Sequence, residues 1–221
     1  MGSYRSSVIE AISAIVDLDE FDDSVQNKDL YGDGSLQILR DFYIRNRLEG
    51  DILDVGCGTG DLSEILPGIT HGVDPNLKRL KVASERSKFI VVSGWVENLP
   101  FGDSVFETVV CWGTLCFVRS LMESLYEINR VLRIGGMFIF DVAEQTSLPI
   151  IQTVHLDSFV EFVKLFGFSL VERREMEYSF SFKRGLLAVK KFEDFNPRRF
   201  LLPQCVGKIN NFLPERDWYM R

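Results

Sequence analysis

The chain has 221 residues, 46% hydrophobic and 26% charged, with a formal net charge of −7. That length and composition suit a soluble globular chain with one domain and a substantial core. The acidic balance argues against a nucleic-acid partner, because phosphate recognition usually needs a basic footprint. No apolar run approaches membrane-spanning length, and no basic-then-apolar leader opens the sequence. In chain order, apolar residues at helical spacing mark residues 6–16 and 36–44 as helices, with an acidic loop at 17–23 and a turn at Gly32 and Gly34 between them.

From residue 51 the pattern alternates. Strands are expected at 51–55, 69–73, 89–93, 106–111 and 137–142. Helices are expected at 60–66, 76–86, 121–132 and 157–166, with Pro67-Gly68, Gly135-Gly136 and Gly167 as stops. Two further strands, 169–176 and 180–189, follow each other with a reversal between them. Such alternation implies an α/β, Rossmann-like, doubly wound and mostly parallel seven-stranded sheet, ending in an antiparallel hairpin. The expected division is an N-terminal helical cap or lid (1–48), a ligand-binding domain (49–190) and a C-terminal extension (191–221), all in one structural unit.

Charge is uneven. Up to Asp41 there are nine acids against three bases, and from Lys183 onward nine bases against four acids. The ends are either simply solvated or form a basic C-terminal patch for an anionic substrate or partner. Cys57, Cys111, Cys116 and Cys205 form no C-x-x-C pair, and no His lies at ligand spacing, so no metal site is expected. Free buried thiols in a reducing cytoplasm are the simplest reading.

The strongest local signal is Ile52-Leu53-Asp54-Val55-Gly56-Cys57-Gly58-Thr59-Gly60. A buried strand runs into a turn with glycines at alternate positions, which permits positive φ and close approach of a ligand to the backbone. A dinucleotide fingerprint spaces its glycines as G-x-G-x-x-G. Here the third glycine comes one residue early, and Asp61 stands at the helix start, a poor neighbour for a pyrophosphate. This disfavours a nicotinamide-dependent oxidoreductase. Asp74 ends the next strand, where an acid can hold both ribose hydroxyls. It can at the same time serve as a helix N-cap, with Pro75 at the first helical position.

These residues resemble the cofactor-binding half of the class I S-adenosylmethionine-dependent methyltransferases, in their ubiquinone/menaquinone-biosynthesis-like small-molecule branch. The resemblance rests on D-V-G-C-G-T-G-D-L at 54–62, G-V-D-P at 72–75, G-W-V-E-N-L-P-F at 94–101, F-E-T-V-V at 106–110 and the helix, Gly-Gly turn and strand of 125–140. It implies S-adenosylmethionine as cofactor, S-adenosylhomocysteine as its product, and methyl transfer to a small-molecule acceptor by in-line attack. It also implies roles. Asp54, Gly56, Cys57, Gly58 and Gly60 line the pocket for the methionine part, and Asp74 holds the ribose. Pro75 and Val96 flank the adenine with Glu97 close by. Cys111, Trp112 and Gly113 face the sulfonium side.

Two departures stand out. Trp95 replaces an Asp that binds the adenine amino group in relatives, and indole is a donor only, so stacking or a backbone carbonyl must take over. The loop near 115–118 lacks a His that many relatives carry, which leaves the base unassigned. Candidates are His155, Asp141 and Tyr31, with Tyr43 beside them. His71 reads as structural. Helix 36–44 and Tyr31 are expected over the cofactor mouth as a lid. Phe195, Phe200, Phe212, Trp218 and Tyr219 either line a substrate pocket or bury against the sheet. The rival to an enzyme is a non-catalytic protein that binds the same nucleosides. No N/D-P-P-Y/F tetrapeptide follows the fourth strand, which disfavours amino-group methylation of a base or amide.

Overall fold

The structure is a computed structural model that describes residues 40–43, 45–46, 50–66, 68–86, 89–145, 153–179 and 182–196. Its elements are β1 (Ile52–Val55), α1 (Asp61–Ile65), β2 (Ile69–Asp74), α2 (Leu77–Arg86), β3 (Ile90–Ser93), β4 (Phe106–Cys111), a 3-10 turn (Leu115–Phe117), α3 (Leu121–Val131), β5 (Leu132–Gln145), α4 (Leu156–Lys164), β6 (Phe168–Ser179) and β7 (Phe182–Lys191). Residues 40–43 are also helical.

The strands form one seven-stranded sheet in the order β3-β2-β1-β4-β5-β7-β6. Neighbours from β3 to β5 pair in parallel, and β7 runs antiparallel to both β5 and β6. This is the doubly wound α/β sheet with a closing antiparallel hairpin that the alternation implies.

Side chains on successive strand residues point to opposite faces. Leu53, Val109, Phe138, Phe140, Leu187 and Val189 therefore face one core, which α3 and α4 complete with Leu125, Ile128, Phe159 and Val163. Ile52, Val110, Ile139, Leu186 and Ala188 face the other, closed by Phe42, Tyr43, Leu62 and Leu66. Asp54 lies two residues after Ile52 and shares its face.

The one clear shift in element boundaries concerns Gly135-Gly136. They do not close a helix. α3 ends at Val131, β5 begins at Leu132, and both glycines lie inside the strand. The stop comes from elsewhere. The buried Lys191 ammonium, from the end of β7, donates to the carbonyls of Asn129 and Leu132 at 2.7 Å each. It thereby satisfies carbonyls that a helix end leaves open.

The strand order reverses between β1 and β4. In such sheets the crevice for a ligand lies beyond the carboxyl ends of the strands at that reversal. The glycine turn after β1 is placed there.

Candidate functional site

The turn after β1 holds Gly56, Gly58 and Gly60 at φ of 76°, 52° and 83°. At Gly56 the requirement is double. A Cβ there would sit 2.0 Å from Thr114 Oγ1, so the turn packs directly on the loop after β4. At Gly58 a Cβ would meet nothing nearer than Arg79 Nη1 at 4.0 Å, which leaves that backbone open to approach. The amides of Gly56 and Cys57 both donate to the Val73 carbonyl, at 2.8 and 3.1 Å, which anchors the turn to β2.

Asp74 closes the other side. Its Oδ2 accepts the Gly58 N–H at 3.0 Å and its Oδ1 the Asn76 N–H at 2.8 Å. The helix cap falls to Asn76, whose Oδ1 accepts the N–H groups of Lys78 and Arg79. α2 therefore begins at Leu77, and Pro75 precedes the cap instead of opening the helix. An Asx side chain two residues after Asp74 offers the better reach to these donors. Burial pushes the Asp74 carboxyl up from its ordinary value, and the two N–H donors and Arg79 work against that rise.

Asp54 is fully buried at the end of β1, and neither of its oxygens has a hydrogen-bond partner among the described residues. Burial, then the charges of Asp74 and Asp61, push its carboxyl up to about 8. Tyr43 is buried beside it, its hydroxyl also without a hydrogen-bond partner, and burial and Asp54 raise its phenol. Asp61 accepts a hydrogen bond from Thr59 Oγ1 and pairs with Arg86 at 2.9 Å.

Cys111 and Trp112 are buried, at the end of β4 and just after it. The Gly113 N–H donates to Asp141 Oδ1 at 2.6 Å. The other Asp141 oxygen lies 2.6 Å from Arg184 Nη1, both side chains being buried. Register explains the pair. Asp141 faces Leu186 across the β5–β7 ladder and Arg184 faces Ala143, so the two charges are diagonal neighbours on one sheet face. The Arg184 guanidinium carbon also lies 5.9 Å from the centre of the Trp112 ring.

At the segment after β3, Val96 is buried and Glu97 half-buried. Glu97 Oε1 accepts the Arg119 N–H at 2.6 Å. The Arg119 guanidinium carbon sits 4.3 Å from the centre of the Trp95 ring, which is 40% exposed. One face of the indole is thus occupied by a cation.

The structure therefore brings Asp54, the three glycines, Cys57 and Asp74 together, with Cys111, Trp112, Gly113 and Asp141 beside them. His155 is not among them. It is exposed at the N-cap position of α4 and makes no side-chain cap. His71 hydrogen-bonds Thr70 and packs edge-on against Phe101 and Phe106, a structural setting. Tyr31, Cys205 and the aromatic residues beyond 196 lie outside the described residues. Phe195 stacks on Phe166 at 5.1 Å, away from the glycine turn, so it lines no pocket there. The basic C-terminal patch is also corrected in part: Arg184 and Lys191 are buried and ion-paired, with Asp141 and Asp194. Arg184 and Arg119 were missed on the sequence. A charge inside Gly185-Leu186-Leu187-Ala188-Val189's strand was the available signal for the first, but its partner depends on register. Nothing local marks the second.

Cys57, Cys111 and Cys116 are free thiols, each raised above its ordinary value chiefly by burial. Among the described residues no cluster of His, Cys, Asp or Glu could hold a metal ion, and no helix is long and apolar enough to cross a membrane.

Comparison with known proteins agrees with the geometry. Residues 53–140 match the family described as a methyltransferase domain. An uncharacterized protein of Methanocaldococcus jannaschii is 34% identical over 116 residues, covering 52% of this chain and 46% of that protein. A demethylmenaquinone methyltransferase of Staphylococcus haemolyticus is 30% identical over 151 residues, covering 64% of this chain and 62% of that enzyme. The chain thus spans about half to three fifths of the length of these relatives. The solved structure of an S-adenosylmethionine-dependent methyltransferase from Thermotoga maritima superposes with a TM-score of 0.63 at 20% identity, covering 77% of this chain and 96% of that one. What is shared at that identity is the fold.

Proposed function

We propose that this chain, whose residues 53–140 match the family described as a methyltransferase domain, is a class I S-adenosylmethionine-dependent methyltransferase that transfers the cofactor's methyl group to a small-molecule acceptor. The observation that carries the reading is the buried Asp54 carboxyl, without a hydrogen-bond partner among the described residues, beside the three-glycine turn. A pocket of that kind fits the ammonium group of an amino-acid tail better than it fits phosphates. Asp54 would face the ammonium group of the methionine part. Gly56, Cys57, Gly58 and Gly60 would supply backbone against it. Asp74 would accept from the ribose hydroxyls, since each of its oxygens can accept more than the one N–H it now receives. Pro75, Val96, Trp95 and Glu97 would bound the adenine.

When bound, S-adenosylmethionine supplies a methyl group already activated by its sulfonium. The residues of the chain then have only to orient the acceptor, exclude water and, where the nucleophile carries a proton, accept it. Asp141 and Arg184 fix the loop at Gly113 on the acceptor side. The quinone-type substrate of the staphylococcal relative supports starting with demethylated quinols among small acceptors.

A non-catalytic nucleoside-binding protein is the second reading. It is favoured by one observation: Asp141, the described candidate base on the acceptor side, is held by Arg184 and the Gly113 N–H. Calorimetric titration with S-adenosylmethionine, S-adenosylhomocysteine and NADH tests the cofactor. Micromolar binding of the two sulfur nucleosides, none of NADH, and a loss of at least about thirtyfold in Asp74→Ala are expected, in line with roughly 2 kcal/mol for two charge-assisted hydrogen bonds. Product formation with a quinol panel then separates the enzyme from the binding protein.

A further inference from the structure

Among the described residues, the groups that face Asp54 are all acidic or neutral. Asp74 reaches it from the end of β2, Asp61 from the start of α1, Tyr43 from the helical residues 40–43, Cys57 from the glycine turn and Cys111 from the end of β4. The nearby cations are engaged elsewhere: Arg86 pairs with Asp61, Arg79 acts on Asp74, and Arg184 pairs with Asp141. A lone ionised carboxylate in such a place is costly, and it escapes the cost by holding a proton.

We infer that entry of the cofactor's ammonium group expels the Asp54 proton to solvent, so that cofactor affinity is coupled to pH through this one carboxyl. The inference rests on the cofactor reading above. The step balances simply: the carboxyl O–H bond breaks, the proton goes to buffer, and the carboxylate left behind pairs with the ammonium. A cation brought against a carboxyl favours its charged form. Burial and the two neighbouring acids hold the free carboxyl at about 8, so the proton is present at neutral pH. Below that value each pH unit is then worth up to tenfold in cofactor affinity. The Asp74 carboxyl meets the ribose and not the tail, so a tail-less nucleoside separates the two.

The test is calorimetry on the full chain at pH 6 to 7, below the range near 8 where an α-amino group titrates, in buffers of different ionisation enthalpy. The probes are S-adenosylmethionine and 5′-methylthioadenosine, which lacks the amino-acid tail. Release of close to one proton with S-adenosylmethionine is expected, none with methylthioadenosine, and a gain approaching tenfold in affinity between pH 6 and 7 for the first alone. Binding of S-adenosylmethionine with buffer-independent enthalpy overturns the proton release while leaving the cofactor reading intact. Equal release by both probes moves the proton to another group and overturns it as well. Absence of binding by both probes at every pH overturns this inference together with the cofactor reading. In Asp54→Asn, where folded, the proton release should vanish, and its persistence has the same force against the inference. The wild-type series decides the matter without that variant.

Discussion

At the edge of the sheet where β7 ends, the Lys191 ammonium is fully buried and spends its protons on the carbonyls of Asn129 and Leu132 and on Asp194, each at 2.7 Å. At the edge where β1 ends, the Asp54 carboxyl is as deeply buried and receives no hydrogen bond among the described residues. Around Lys191 the polar groups complete one another. Asn129 Nδ2 donates to the carbonyls of Phe166 and Glu193, and its Oδ1 accepts the Phe195 N–H, which docks residues 192–196 on the helices. A buried polar group is kept at low cost when it is satisfied, and at high cost when it is not. One edge thus serves stability, and the other, if Asp54 faces the cofactor as proposed, holds free energy in reserve for a ligand.

The largest expected effect probes a charge pair at the ligand edge. Arg184→Met leaves Asp141 buried without its counter-ion and should destabilise by about 3–5 kcal/mol in urea titration. Asp141→Asn in the same background should recover much of that loss. Failure to recover would mean that the arginine acts through packing on Trp112 instead.

Lys191→Met should cost about 2–3 kcal/mol, because two helix-end carbonyls lose their donor. Its cofactor affinity, measured by calorimetry, should stay within about twofold of wild type. A large loss of affinity would break the division between the two edges.

Asp54→Asn should act with the opposite sign on the free protein. The carboxyl is raised in the fold, to about 8, above an unfolded value near 4. The folded state therefore binds the extra proton, and wild-type stability falls as pH rises between those values, by at most about 1.4 kcal/mol per unit from this group. Above the folded value no further loss comes from it. The variant lacks that dependence, so wild type minus variant should fall by roughly 2 kcal/mol between pH 6 and 8 in thermal or urea melts. A parallel pair of pH profiles would remove the reserve ascribed to Asp54.

The smallest effect is expected at the rim. Arg119→Ala removes an exposed cation from the face of Trp95 and should change stability by less than about 1 kcal/mol. It should alter cofactor affinity by less than about fivefold in the same calorimetry.

Legibility in the sequence followed the range of the interaction. The strand, glycine turn and helix of 52–65, the acid at 74 and the closing hairpin are local patterns, and the chain alone placed them. So were β4 and β7, because a short apolar run buried on both faces is written into consecutive residues. The sequence offers Asp74 as an alternative helix cap, and the structure places the cap two positions on, at Asn76, since both are good caps and only the position of Gly58 draws Asp74 away to the glycine turn. Gly135-Gly136 was misread because a Gly pair after a helical pattern has the same sequence signature whether it ends the helix or bends a strand.

What the sequence by itself determined is the fold, the three-glycine turn and the family resemblance, all of which rest on backbone conformations that neighbouring residues dictate. What only the tertiary structure decided is which charges are satisfied. Arg184 meets Asp141 and Lys191 meets the end of α3 through strand register and the return of β7, across 43 and 59 to 62 positions of chain. Asp54 receives no hydrogen bond among the described residues for the same reason. Electrostatic partners are chosen by distance in space, and a chain's order fixes that distance only after it has folded.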